Sequence, residues 1–89
     1  MDWLEKVLAI KEKLTESGYH KSVEDITNAQ MVFGTFGEMY LEVMNVLLNI
    51  HRNNLPESNL IEKDTFELIN YGKKIGYFII DNPFSSKKK

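Results

Sequence analysis

Thr35 to Asn54, TFGEMYLEVMNVLLNIHRNN, decides the fold. In Thr35-Phe36-Gly37-Glu38 the threonine hydroxyl is placed to accept from the backbone N–H three residues on, while Glu38 reaches back to the threonine N–H. That is a capping box, and it sets the start of a helix. Apolar residues then recur at Phe36, Tyr40, Val43, Leu47 and Ile50, with Met39, Met44, Val46 and Leu48 beside them. A stripe covering well over half of the cylinder belongs at the centre of a bundle. His51 and Arg52 fall in the last turn, where cations complement the helix dipole.

Upstream, Asp2 to Ser17 carries Trp3, Leu4, Val7, Leu8, Ile10 and Leu14 against an outer face of Glu and Lys, with Asp2 as cap and Gly18 as terminator. The alternating Glu and Lys residues read as a solvated face. Ser22 with Asp25 reads as a second N-cap and acidic first turn. Val23, Ile26, Met31, Val32 and Phe33 then predict a shorter helix ending near Gly34. A single helix from Ser22 to about Asn53 is the competing architecture. Each interior glycine would cost it ~1 kcal/mol relative to alanine, and the Thr35 box would be wasted, so a break or kink is expected.

Downstream, Asn53-Asn54-Leu55-Pro56 is a turn. The last helix starts at Pro56 or Ser58 and places Ile61, Thr65, Leu68, Ile69, Gly72, Ile75 and Ile79 inward. Residues 74 to 80 have strand character, but a lone strand has no partner elsewhere in the chain, and helix is expected. Asn82-Pro83 stops it. The expectation is therefore an all-α fold, a compact antiparallel bundle of three to four helices at about 2–17, 22–33, 35–53 and 58–81. Residues 1–84 form a single domain, and 85–89 a flexible lysine-rich tail.

Composition narrows the function. Eighty-nine residues are too few for two cores, and 43% hydrophobic content belongs to a folded domain and not a disordered chain. Without cysteine there are neither disulfides nor thiolate metal sites. The charged N-terminus is no secretory signal and no stretch reaches a membrane span, so a cytoplasmic protein is expected. The formal charge is −2, and without Lys87, Lys88 and Lys89 it is −5, from 8 basic and 13 acidic residues. A body this acidic is a poor nucleic-acid binder.

No enzyme signature is present. His20 sits in a predicted loop, and His51 stands two turns or more from the carboxylate pair Glu38 and Glu42. No His-Glu-x-x-His or Glu-x-x-His spacing occurs. Ser17 and Ser22 flank His20 but have roles at helix ends, and the glycines form no phosphate-binding loop. No catalytic residue, metal or cofactor is expected. Gly72 and Gly76, one turn apart, predict close backbone approach to a neighbouring helix, at the bulky Phe33, Phe36 or Tyr40, with a homodimer contact as the alternative.

Charge is the informative remainder. Glu57, Glu62, Asp64 and Glu67 face Lys63 alone between residues 57 and 67, an acidic stretch suited to steering a basic partner, with Tyr71, Tyr19 and Tyr77 as sources of contact area if exposed and Glu24 and Asp25 adding charge. A small, acidic, cysteine-free helical chain with Gly34-Thr35-Phe36-Gly37-Glu38 opening its central helix resembles small cytosolic immunity proteins of bacteria that neutralise a cognate toxin. The resemblance implies another protein as partner, a toxin whose active surface is basic when its target is nucleic acid, and no nucleic acid or membrane. The alternative is a self-associating structural or regulatory adaptor that pairs through the Gly72/Gly76 face.

Overall fold

The computed structural model describes residues 2–31 and 34–77. Four helices form: α1 Trp3–Glu16, α2 His20–Gln30, α3 Phe36–Arg52 and α4 Ser58–Lys74. Each packs against its neighbours in the chain, and α4 closes back on α1. The result is an all-α antiparallel bundle, with no strand among the described residues. No helix among them is long and apolar enough to cross a membrane.

Local chemistry sets the helix ends. Asp2 Oδ1 accepts from the Leu4 N–H at 3.1 Å and starts α1. The Thr35 capping box is complete: Glu38 N–H donates to Thr35 Oγ1 at 3.2 Å and Thr35 N–H to Glu38 Oε1 at 3.1 Å. Gly34, at φ 153°, lets the carboxylate swing back, because a Cβ there would collide with Glu38 Oε1. The chain therefore breaks between α2 and α3, as the wasted-cap argument requires.

Three helices end on the same device, a left-handed residue with two backbone hydrogen bonds folded back over the last turn. Gly18 ends α1, with Tyr19 N–H donating to Leu14 C=O at 2.9 Å. Asn54 ends α3, with Leu55 N–H donating to Ile50 C=O at 3.1 Å. Gly76 ends α4, with Tyr77 N–H donating to Gly72 C=O at 2.7 Å.

That last device corrects the sequence reading, which carried the final helix to residue 81. Gly76 at φ 98° is the residue that stops the helix, so Ile75 sits in the closing turn and residues 75–77 are not helical. Residues 78–81, including Ile79, lie outside the described residues, as do the 85–89 tail and Val32 and Phe33 of the second predicted helix. α2 also starts earlier than predicted, at His20, because the turn ending α1 delivers the chain to Tyr19 already positioned as N-cap. Ser22 is then buried inside the helix and caps nothing.

The core is one cluster. Val7, Ile10 and Leu14 from α1, Ile26 from α2, Tyr40, Val43, Met44 and Leu47 from α3, and Ile61, Leu68 and Ile69 from α4 are fully buried. α3 supplies the most, which is why its stripe decides the fold. The α1 stripe is narrower than its composition suggested: Leu4 and Leu8 lie on the outer side, about half exposed. At one end Trp3, Phe36, Tyr40 and Tyr77 form an aromatic cluster, with Trp3 edge-on to Phe36 and Tyr40 at 5.4 and 5.7 Å.

Gly72 is where α4 admits Tyr40. The phenol lies directly on the glycine, where any Cβ would collide with it, and its hydroxyl donates to Leu68 C=O at 2.7 Å. The close helix approach expected at Gly72 is thus made by Tyr40. Gly72 is covered from within the chain by Tyr40 and Gly76 lies outside the helix, so the two glycines do not share one open helix face.

Candidate functional site

The acidic residues of 57–67 do not form one surface. Glu57 is buried and accepts from the Ser22 hydroxyl at 2.5 Å. Ser22 lies in the first turn of α2, whose N-cap makes no side-chain hydrogen bond, and Glu57 itself begins α4. The carboxylate thus stands where two helix N-termini meet, and their dipoles favour its negative charge in place of a cation.

Asp64 is likewise internal. Its two oxygens take Lys6 Nζ at 3.1 Å and Lys13 Nζ at 2.6 Å, and Lys6 also bridges to Glu67 at 2.6 Å, clamping α4 to α1. Burial pushes the Asp64 carboxyl up, but the Lys13 and Lys6 ammoniums outweigh it and hold the group below its ordinary value. Glu67, with Asp64, raises Lys6 in turn. Tyr71 is half-buried and packs on the core. Of the five residues assigned to a partner, Glu62 alone is exposed, and its charge is felt by His51.

His51 also differs from expectation. Burial holds its imidazole below the ordinary value, with Glu62 drawing it part of the way back, so near neutral pH the ring is uncharged and supplies no cation to the helix end. Arg52, which donates to Asn49 Oδ1 at 3.1 Å, retains that role. Among the described residues no three His, Asp or Glu side chains converge as a metal site would require.

A different surface emerges between α2 and α3. A groove of about 520 Å³ runs there, lined by Lys21, Ser22, Asp25, Asn28 and Ala29 on one side and Glu42, Val46, Asn49, Ile50 and Asn53 on the other, with Leu55 and Glu57 at its end. Its volume lies within the range of ligand and peptide sites. Lys21 is engaged by Asp25 at 2.7 Å. Glu42 makes no hydrogen bond or ion pair among the described residues, so its carboxylate is uncompensated. α2 and α3 together carry four acids, Glu24, Asp25, Glu38 and Glu42, against Lys21 and Arg52, whereas α1 and α4 each carry three acids and three bases.

The sequence offered two signals for this arrangement. Glu57 and Asp64 fall on the same helical stripe as Ile61 and Leu68, which marks them as inward positions despite their charge. Glu42, Asn45, Asn49 and Asn53 recur at helical spacing on the face of α3 opposite its densest apolar rows, a polar ridge that reading charge alone passes over.

No protein-family model, curated protein or solved structure matches this chain. The functional reading therefore rests on the residues themselves.

Proposed function

We propose that this chain is a protein-binding module that engages a basic protein partner through the α2–α3 face, acting by blockade and not by catalysis, as the immunity proteins it resembles do. The observation that supports this reading is the charge distribution. The acidic excess sits on α2 and α3, where Glu42 is uncompensated, while the acids of α4 are largely spent on internal pairing. A face with an excess of one sign steers an oppositely charged partner and accelerates association in a salt-dependent way. The partner class is a basic toxin domain, and the compartment is the cytoplasm of a bacterium.

The test is binding of the purified chain to the protein encoded by the adjacent reading frame, followed by biolayer interferometry at about 50 and about 300 mM NaCl, which brackets strong and weak screening. Association is expected to slow with salt, and to slow about tenfold when Glu24→Lys and Glu42→Lys reverse the face, a size typical of steering effects. Affinity indifferent to both salt and reversal would overturn the reading.

A further inference from the structure

The groove itself says which part of a basic partner it fits. Its lining includes apolar Ala29, Val46, Ile50 and Leu55 beside the buried Ser22–Glu57 pair, and its exposed lining carries hydrogen-bonding side chains that no other described residue uses, Glu42, Asn28 and Asn53. Lys21, the one cation in the groove, is already occupied by Asp25. Resting on the reading of a basic partner, we infer that the α2–α3 groove is an anchor site for an arginine side chain of that partner, the stem lying on Val46, Ile50 and Leu55 and the guanidinium bonding the Glu42 carboxylate and the asparagine carboxamides.

Arginine suits the site for three reasons. Its stem buries against apolar surface while the charged head stays at the rim. Its planar head presents five donors, matching a carboxylate and neighbouring carboxamide oxygens together, whereas a lysine ammonium is a strongly hydrated point charge. A site holding a compact metal cation would instead need several converging anionic ligands, and the described residues offer none. Desolvated arginines in pockets are also among the residues that contribute most to protein interfaces.

The experiment titrates the ¹⁵N-labelled full chain with a short blocked peptide carrying one arginine between two leucines, and with its lysine and citrulline counterparts. The arginine peptide is expected to produce saturable shifts at Glu42, Val46 and Asn53, and to bind about tenfold more tightly than the citrulline peptide, with lysine between them, a difference of about 1.4 kcal/mol. Glu42→Gln, at an exposed position, is expected to leave the urea midpoint unchanged and to abolish the preference for arginine over citrulline. Equal affinity for all three peptides, shifts confined to α1 and α4, or no saturable shift at all would each overturn the arginine site. The basic-partner reading is judged separately by its salt dependence, so a failure here with salt-dependent partner binding intact would discard the groove alone.

Discussion

The Tyr40 phenol rests on the backbone of Gly72, where no side chain could stand, and donates to the Leu68 carbonyl one turn earlier. α3 and α4 meet there with a ring as the only spacer. Gly72→Ala places a methyl group into the phenol, and an overpacked core contact of this kind costs about 1–3 kcal/mol. Tyr40→Phe removes the hydrogen bond at about 1 kcal/mol and also part of the clash. The double variant is therefore expected to be less destabilised than the sum of the two single ones, a coupling that urea unfolding of all four proteins measures. Additive losses would show that the phenol does not bear on Gly72.

The same burial pushes the Tyr40 hydroxyl up to about 12, with a backbone hydrogen bond from Gly72 opposing it. Its folded value lies above that of a free tyrosine, near 10. The associated stability is thus complete below pH 10 and is lost as pH rises toward 12. Spectrophotometric titration is expected to show a tyrosine ionising well above the value of a free tyrosine, and Tyr40→Phe to remove that late step.

Asp64 works in the opposite direction. Because Lys13 and Lys6 hold its carboxyl below the ordinary value, its contribution is present above pH 4 and is lost as pH falls through the folded value. Asp64→Asn is expected to cost about 1–2 kcal/mol at pH 7, short of the about 3–5 of a wholly buried pair because both lysines reach water. As pH falls through that folded value and the wild-type carboxyl takes up its proton, the gap between the two proteins should shrink. A penalty unchanged by pH would mean that the clamp acts through shape and not charge.

His51 contributes near neutrality. Its folded value is depressed by burial, so the neutral ring is favoured and stability falls as pH drops below about 6.5, where the unfolded imidazole takes up its proton first. The urea midpoint of the wild type is expected to decline from pH 7.5 to pH 5, and that of His51→Gln to decline less. Parallel curves for the two proteins would remove His51 from the acid response.

How much of this was legible in the sequence depends on whether local chemistry or tertiary context decided each point. The Thr35–Glu38 box, the Asp2 cap, the Gly18 stop and the Asn53-Asn54 turn are short-range devices, complete within a few residues, and the bundle follows from them and the α3 stripe. Gly76 is equally local but is followed by Tyr77, Phe78, Ile79 and Ile80, a run of strand character assigned to the helix because a lone strand has no partner. The acids misled for another reason. Glu57 and Asp64 are buried only because Ser22 and the lysines of α1 arrive from distant parts of the chain, across 35, 51 and 58 residues. The α2–α3 groove needs two helices in register, and no single stretch announces it.

Ser22 and Glu57 give the last prediction. The hydroxyl is the donor recorded for a carboxylate that has almost no access to water, at the junction of two helix N-termini. Ser22→Ala leaves that oxygen without its donor, at a cost of about 1–3 kcal/mol. Glu57→Gln keeps the size and a hydrogen-bonding oxygen but removes the charge that the two helix dipoles favour, a loss of about 0.3–1 kcal/mol for each terminus. The serine variant should therefore be destabilised by removal of the donor, and combining it with Glu57→Gln should cost less than the sum, since an uncharged group is less penalised for lacking a partner. Urea unfolding of the four proteins at pH 7 decides it. If Ser22→Ala proves as stable as wild type, the carboxylate is held by the helix N-termini alone, and the link from α2 to the start of α4 lies in packing.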